Sequence, residues 1–381
     1  MLCTQVFYSE IVPVLCFDTI KSSWKEANAI LHRKQDGDEN QPEIAYMLTS
    51  LELKKTICGE IIKGVILRRI NNSMTLDSSS SRNDEHSSKI SAYHGNLWEM
   101  TREYVALKVD RRKTMEHIHK KSMQRNPENS WKEVATMQLL GNSHPNVMGL
   151  LGAFMDTQYL YKVMPFCSKG NLSSLIRHYP SGLAEHRARN IFLDILRGVH
   201  YIHSHGVCHH DLSTDNVMLD EDGRCVIIDF GMCLRIPYSY PDDPSGTTDD
   251  VTDITIGTNR RLMHSQNHCG KLRFMAPEIY QRKHGFDGFA SDVWSLGVVL
   301  FVLLTGRQPY ERPEENDPGY HDLVDPHFYW NIEEINPCLS WGHGMSRTAV
   351  DLLRHVLYPD PRNRATLGWI SNHGWVNQGM D

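Results

Sequence analysis

The chain has 381 residues, of which 40% are apolar and 23% are charged, and its formal net charge is -6. This length fits a two-lobed unit or two domains better than one compact domain. The slightly acidic balance argues against nucleic acid or an anionic membrane as a partner. The nine cysteines are scattered and never in CxxC spacing, which indicates reduced thiols in a cytoplasmic or nuclear protein.

The N-terminal stretch MLCTQVFYSEIVPVLCFD is not typical of a targeting segment, because it lacks a basic leader and Glu10 interrupts its apolar run. The longest apolar stretch, residues 294–304, is too short to span a bilayer. It is typical of a helix that is buried on all sides in a large core. We therefore expect no membrane span.

The first part of the chain has the patterns of β-strands. Residues 1–49 contain strand-like pieces and an acidic stretch, and we assign no role to this N-terminal extension. From about residue 50 the pattern indicates strand, turn and strand, and residues 71–98 are predicted to be a disordered insertion rich in serine, asparagine and charge. Alternating apolar residues over 102–112 predict a further strand.

The second part of the chain has the patterns of helices. Residues 131–140, still in the first part, have helical periodicity, and after residue 180 so do 188–206, 290–305 and 347–358. Between these helices, VMLDEDGRCVIIDFG is typical of a hairpin with DG in its turn. Strands followed by helices predict an α+β protein with two unlike lobes and a ligand site in the cleft between them.

Two acids and one amide flank the predicted hairpin. Asn216 follows Asp211 by five residues, and Asp229 follows Asn216 by thirteen. Carboxylate and amide oxygens suit hard divalent cations. Upstream, Lys108 on a strand and Glu133 on a helix are expected to pair, which would hold the lysine in place for phosphate oxygens.

Seven motifs follow one another in the order VALK, HPNV, HHDLSTDN, DFG, APE, SDVWSLG and DPRNR. In this order they resemble the eukaryotic protein kinases of the serine/threonine type over roughly residues 50–377. LLTGRQPY and the closing HGWV resemble the calcium/calmodulin-dependent-like group. The resemblance implies a two-lobed kinase fold, with a β-rich N-lobe that has one main helix (about 50–165), a helical C-lobe (about 166–377) and a tail (378–381).

The resemblance also implies a role for each motif residue. Asp211 would be the catalytic base, Lys108 would hold phosphates with Glu133 as its partner, and Asn216 and Asp229 would bind Mg²⁺. The residues that would contact ATP are Gly59, Gly64, Ile66, Ala106, Lys108, Met164, Phe166, Cys167, Asn171 and Met218. The residues that would brace this machinery are Asp292, under the catalytic loop, and Arg364, as the partner of Glu278.

The activity that the resemblance implies is ATP- and Mg²⁺-dependent transfer of a phosphoryl group to serine or threonine hydroxyls of protein substrates. The sequence names no regulatory partner. The alternative is a pseudokinase that acts as a scaffold or allosteric regulator. A metal-dependent hydrolase built on the histidines of residues 203–210 is a third interpretation. His264, His268 and Cys269 also have zinc-like spacing, but a tetrahedral site needs a fourth ligand and none is evident.

Two departures from the family pattern concern phosphate. CGEIIKGVI keeps Gly59 and Gly64 but has Ile61 between them, and a Cβ at that position would hinder close approach to a phosphate. His210 precedes the predicted base where arginine is usual, and a neutral imidazole is a poor phosphate anchor. We therefore expect activity to depend little on phosphorylation of the activation segment, the name used here for residues 229–278.

A third departure is an apparent exchange of two side chains. Ser213 stands two residues after Asp211, where serine/threonine kinases usually have lysine. Lys271, in CGKLRFMAPE, stands where they usually have threonine. In the family those two side chains meet beside the catalytic aspartate. We therefore predict that Lys271 is a catalytic residue that reaches Asp211 and Ser213 and restores the missing charge.

Overall fold

The computed structural model describes residues 5–9, 11–21, 23–32, 44–70, 97–122, 129–239, 251–253, 258–263, 270–282, 285–325 and 345–378. The chain divides into two compact units. The first combines Met1–Ile118 with Gly149–Phe166, and the second combines His119–Met148 with Cys167–Asp381. The first unit is rich in strands and the second in helices, as the sequence predicts.

The first unit is built on one eight-stranded sheet. Its strands are β1 (Phe7–Tyr8), β2 (Ile11–Asp18), β3 (Ser23–His32), β4 (Ile44–Lys55), β5 (Gly59–Arg69), β6 (Leu97–Arg111), β7 (Gly152–Met155) and β8 (Tyr159–Pro165). Their order is β1-β7-β8-β6-β2-β3-β4-β5, and β6 also pairs with β5. Strands β6, β2, β3, β4 and β5 therefore close into a ring. Helix α1 (Arg112–Ser122) follows β6 directly.

Two apolar clusters hold these strands together. One contains Val14, Ala29, Met47, Leu67 and Trp98, which come from all five strands of the ring. The other combines residues of β3 to β8 and contains Ile30, Tyr46, Ile62, Val105, Leu107, Val109, Phe154, Tyr161 and Val163. Burial of apolar surface from so many strands is the main force that stabilises the unit.

The first unit differs from the sequence prediction at two boundaries. A domain start at residue 50 falls inside β4, and strands β2 and β3 belong to the same sheet as the later strands. Residues 97–98, which the sequence prediction placed in the disordered insertion, instead begin β6, and Trp98 is fully buried. The prediction for residues 71–96 lies outside the described residues.

The second unit contains the remaining elements. Its helices are α2 (Ser130–Leu140), α3 (Leu172–Ile176), α4 (Glu185–Ser204), α5 (Pro277–Tyr280), α6 (Gly288–Thr305), α7 (Pro318–Val324), α8 (Arg347–Val356), α9 (Leu367–Ser371) and α10 (Gly374–Asn377). Its strands are β9 (Val207–Cys208), β10 (Val217–Leu219), β11 (Cys225–Ile227), β12 (Leu234–Arg235), β13 (Tyr238–Ser239), β14 (Val251–Asp253) and β15 (Thr258–Arg260). The predicted hairpin is β10–β11.

Helix α6 is the core of the second unit. Asp287 caps its start by accepting a hydrogen bond from the Phe289 N–H, and Gly306 ends it in the left-handed region at φ 72°. The helix has the length and mean hydropathy of a membrane-crossing segment, but 83% of that stretch is buried inside the protein. The predicted helix buried on all sides is therefore confirmed.

The contribution of strands β2 and β3 can be tested with two neighbouring substitutions. Ala29 is fully buried inside the ring, whereas Asn28 is exposed on the same strand. We expect Ala29→Asp to lower the melting temperature by about 5 °C or more, because it buries an unpaired charge. Asn28→Asp should leave it nearly unchanged. Equal melting temperatures and equal protease resistance for the two variants would contradict an integral role for these strands.

Candidate active site

The catalytic loop joins β9 to β10 and carries Asp211 and Asn216. The Asn216 side-chain N–H₂ donates to the Asp211 carbonyl oxygen and to its Oδ2, both at 2.8 Å. These bonds orient the carboxylate and leave the Asn216 Oδ1 as an acceptor. The Asp211 side chain is 13% exposed, so an incoming hydroxyl can reach it. The structure therefore brings these two predicted residues together.

Asp292 on α6 fixes the backbone just before Asp211. Its carboxylate accepts hydrogen bonds from the His209 N–H at 2.7 Å and the His210 N–H at 2.8 Å. His203 Nε2 lies 2.9 Å from the same carboxylate. Burial raises the pKa of Asp292, but the bond and charge of His203 and the His210 N–H outweigh it, so the pKa lies below its ordinary value. The predicted brace is in place.

His210 is buried and held in an uncommon backbone conformation. Its φ is 64°, and its ring stacks on Phe286 with centroids 5.3 Å apart and planes 12° from parallel. Burial lowers the pKa of its imidazole to about 4, and nearby Asp292 and Asp211 offset this only in part. The ring is therefore neutral near pH 7 and packs against an aromatic side chain instead of offering a charge to a phosphate.

Lys271 lies beside the catalytic loop. Its backbone N–H donates to Asp211 Oδ1 at 3.0 Å, and its Nζ is 3.4 Å from Asp211 Oδ2 and 2.9 Å from Ser213 Oγ. Gly270 precedes it at φ 91°, and a Cβ there would lie 3.0 Å from the His210 carbonyl oxygen. A glycine is therefore needed for this close approach. The predicted meeting of Lys271, Asp211 and Ser213 is present in the structure.

The segment that follows Lys271 is anchored to the core. Ser295 Oγ donates to the Phe274 carbonyl oxygen at 2.8 Å, and Tyr310 OH donates to that of Met275 at 3.1 Å. Further on, the Arg364 guanidinium donates to both oxygens of Glu278 at 2.7 and 2.9 Å, and the pair is buried. Such a bidentate pair restricts geometry as well as adding energy. The predicted Arg364–Glu278 pair is in place.

Helix α2 carries Glu133 and packs on the start of the activation segment. Asn129 caps the helix with its side chain, and its backbone N–H donates to the Gly231 carbonyl oxygen at 3.1 Å. Thr136 Oγ1 lies 3.0 Å from Cys233 Sγ. Asp229 adopts the left-handed conformation at φ 67°. These contacts explain why α2 belongs to the second unit, whereas the sequence prediction placed it in the β-rich lobe.

Lys108 lies in the first unit on the face of β6 opposite its apolar cluster. Ala106 shares that face by strand alternation, and register places Met164 of β8 beside Ala106 and Ile61 of β5 beside Lys108. Ala106, Met164 and Ile61 are half-buried, whereas Lys108 is buried. This face therefore carries the predicted phosphate lysine and two predicted nucleotide contacts, Ala106 and Met164.

The structure places the predicted glycine-rich stretch in a strand and not in a loop. Gly59 and Gly64 both lie in β5, which runs without a break, and the turn before it is Thr56–Cys58. A Cβ on Gly59 would lie 1.9 Å from the Val109 carbonyl oxygen, so this glycine serves the contact of β5 with β6. Ile66, a predicted nucleotide contact, packs on the apolar cluster of β3 to β8. Glycine spacing matched the motif, but strand alternation decided the structure.

The other predicted nucleotide contacts are placed as follows. Phe166 ends the first unit, with its ring 6.3 Å from that of Tyr104. Cys167 is buried in the second unit, and burial raises the pKa of its thiol to about 11. Asn171 caps α3, because its Oδ1 accepts from the Ser174 N–H and hydroxyl, and it forms a β-bridge with Met218. The Asn171 side chain therefore has a structural partner.

Sequence reasoning missed one charged pair beside Lys108. Lys162 Nζ lies 2.6 Å from Asp110 Oδ2, and both side chains are fully buried. Lys162 faces Lys108 across β6 and β8, and Asp110 is two residues from Lys108 on the same face. Removal of either partner of a buried pair costs about 3 to 5 kcal/mol. The sequence did contain a signal for this pair: a lysine and an aspartate occur within two strands that are otherwise largely apolar.

The histidines of the catalytic loop region have structural partners. His209 Nε2 lies 2.9 Å from the Ile228 carbonyl oxygen, and its ring is 5.4 Å from Phe230. His203 stacks on Phe289 with centroids 4.0 Å apart. Within the described residues, no three His, Cys, Asp or Glu side chains form a metal-binding group. The zinc-like spacing of residues 264–269 lies outside the described part.

Comparison with known proteins gives the same family. A family model described as "Protein kinase domain" matches residues 97–376. That match covers more than half of the chain, and the catalytic loop, DFG, APE and Asp292 geometry all lie inside it. The chain belongs to the protein kinase domain family.

Named relatives add the type of kinase. CBL-interacting protein kinase 25 of Oryza sativa subsp. japonica is 33% identical over 253 residues, which are 65% of this chain and 42% of the rice protein. Probable serine/threonine-protein kinase KCC4 of Saccharomyces cerevisiae is 35% identical over 65% of this chain and 20% of the yeast protein. CBL-interacting serine/threonine-protein kinase 15 of Arabidopsis thaliana is 31% identical over 65% of this chain and 50% of that protein. The predicted resemblance to serine/threonine kinases is confirmed, and the chain spans half or less of these relatives.

The buried neutral His210 predicts a specific pH dependence of stability. The unfolded chain binds a proton at this residue near pH 6.5 and the folded chain only near pH 4. Stability is therefore complete above pH 6.5 and falls as the pH drops toward 4, by on the order of 3 kcal/mol. We expect His210→Asn, which tolerates a positive φ, to flatten this acid slope of the unfolding free energy. Identical slopes for variant and wild type between pH 6.5 and 4.5 would contradict a neutral buried His210.

Proposed function

We propose that this chain is an ATP- and Mg²⁺-dependent protein kinase that phosphorylates serine and threonine hydroxyls of protein substrates. One observation carries the proposal: the carboxylate of Asp211 is partly exposed and oriented by Asn216 and Lys271 on a loop that Asp292 holds rigid. A carboxylate fixed in this way can accept the proton of a hydroxyl at a set position.

The proposed reaction is a direct displacement. The substrate hydroxyl oxygen bonds to the γ-phosphorus of ATP while its proton passes to Asp211, and the bond from the γ-phosphorus to the bridging oxygen breaks to release ADP. Lys108 is the proposed cation for the phosphates of ATP. Positioning and charge stabilisation supply most of the catalysis in such a transfer.

The residues proposed to hold magnesium fit that ion. Asn216 turns its N–H₂ toward Asp211, which leaves its carbonyl oxygen as a ligand, and Asp229 supplies a carboxylate at the start of the activation segment. Magnesium prefers oxygen ligands and keeps several of its waters, so two protein ligands are sufficient. When bound, it would neutralise charge on the phosphates.

The setting of this activity is also a proposal, since the chain spans only 20 to 50% of the three relatives named above. Membership of the kinase family supports protein substrates. The described cysteines Cys16, Cys58, Cys167, Cys208, Cys225 and Cys233 are free thiols, all buried, which supports a reducing compartment such as the cytoplasm or nucleus.

Substitution of the proposed base provides the test. Asp211→Asn should lower the rate of Mg²⁺-dependent phosphoryl transfer from ATP to a generic protein substrate by at least about 100-fold, because the amide cannot accept the proton. ATP binding, measured by thermal shift with Mg²⁺, should persist. Asp215→Asn, the same chemical change on the same loop, is the matched control and should retain activity.

The outcomes separate the kinase from the alternative. Transfer by wild type and by Asp215→Asn, but not by Asp211→Asn, supports the proposed reaction. ATP binding by the wild type without any transfer would overturn it and favour a scaffold. Equal transfer by Asp211→Asn would show that Asp211 is not the base.

A further inference from the structure

We propose that Lys271 is the positioning residue of the catalytic aspartate and makes transfer depend on a docked activation segment. The inference rests on the proposed kinase function. It concerns a lysine that is sixty residues from Asp211 in the chain and belongs to the segment before the APE motif.

Lys271 holds both oxygens of the Asp211 carboxylate. Its backbone N–H binds Oδ1 at 3.0 Å, and its Nζ lies 3.4 Å from Oδ2, the oxygen that also accepts from Asn216. A carboxylate with donors on each oxygen cannot rotate freely about its Cβ–Cγ bond. Asp211 is therefore oriented from its own loop by Asn216 and from the activation segment by Lys271.

Ser213 completes the arrangement by fixing the ammonium. Its hydroxyl oxygen lies 2.9 Å from Lys271 Nζ and is fully buried. An ammonium has three N–H donors, and the Asp211 and Ser213 contacts use two of them. The third can serve a phosphoryl oxygen, because the Lys271 side chain is 38% exposed. A positive charge at this point would also favour the developing charge of the transfer.

The position of Lys271 depends on how its segment is held. Downstream, Ser295 and Tyr310 hold the carbonyl groups of Phe274 and Met275, and the Phe274 N–H donates to the Lys271 carbonyl oxygen at 2.9 Å. These bonds tie the lysine to the buried helix α6 and the residues that follow it. Lys271 therefore reaches Asp211 only while this part of the segment is docked.

The described upstream contacts of the segment are made by side chains and backbone groups of this chain. Arg260 lies 2.8 Å from Asp287 and over the Phe289 ring, with its guanidinium carbon 5.0 Å from the centroid. Met263 and Phe286 exchange two backbone hydrogen bonds of 2.9 Å, and Phe286 stacks on His210. An ion pair, a short bridge and an aromatic stack thus dock the segment where the sequence lacks a charged phosphate anchor. The docked segment places Lys271 against Asp211, so docking of the segment would control the activity.

The reciprocal exchange of the two side chains tests this inference. Lys271→Ser removes the ammonium, and we expect kcat to fall about 100-fold with little change in KM for ATP, because Asp211 is misoriented. Combining it with Ser213→Lys returns an ammonium to the same space, since the two groups are 2.9 Å apart. The double variant should regain most of the lost kcat. A role limited to folding would not give such rescue.

Two further variants control for charge and folding. Arg273→Met removes a cation from the same segment, but Arg273 pairs with Glu311 on the surface, so kcat should change less than about twofold. Lys271→Arg keeps the cation and should retain much more activity than Lys271→Met. The comparison of Lys271→Arg with Lys271→Met tests the role of the ammonium even if the double exchange variant does not fold. Melting temperatures of all variants verify folding.

The outcomes distinguish this inference from the function on which it rests. Absence of transfer by the wild type would overturn the proposed kinase activity itself. An active wild type with an equally active Lys271→Ser would overturn only the role of Lys271. A folded double variant no more active than Lys271→Ser, or a Lys271→Arg as impaired as Lys271→Met, would also overturn it.

Discussion

One buried carboxylate determines the geometry of the site. Asp292 accepts two backbone N–H groups of the catalytic loop and lies against His203, and it comes from a helix buried almost throughout its length. The loop cannot shift without leaving this charge unpaired in the core, which is costly. The position of Asp211 is therefore fixed by the buried helix α6. Ser295 of the same helix holds the activation segment at Phe274. Helix α6 therefore anchors both partners of the Asp211–Lys271 contact.

The sequence predicted the motif contacts of the second unit by two routes. Asp211 and Asn216 were expected to converge because they are five residues apart on one loop, whereas the Arg364–Glu278 pair and the contact of Asp292 with the loop were implied by the resemblance to protein kinases. The structure has these contacts, and buried charges need such partners. The meeting of Lys271 with Ser213 was predicted from the exchange of two residue types at positions that meet in the kinase family. The structure adds the backbone N–H bond to Asp211, which residue identity could not indicate.

The first unit was predicted less well, because long-range strand pairing decides its structure. The spacing of Gly59 and Gly64 matched a phosphate loop, yet both residues lie in strand β5, where they pair with Asp110 and Val105 of β6, which are 51 and 41 residues away in the chain. The ring formed by β2 to β6 needs pairings that no local pattern specifies. The Asp110–Lys162 pair was missed for the same reason, because only the pairing of β6 with β8 shows that the two charges are neighbours.

The central claim is that this chain transfers phosphoryl groups from ATP to serine and threonine hydroxyls. The most direct measurement is mass-spectrometric identification of the acceptor residue after the wild type is incubated with ATP, Mg²⁺ and matched peptide pools that offer serine, threonine or tyrosine. The account predicts phosphoserine and phosphothreonine that disappear when Mg²⁺ is chelated. Phosphotyrosine alone, or bound ATP with no phosphopeptide in any pool, would contradict it.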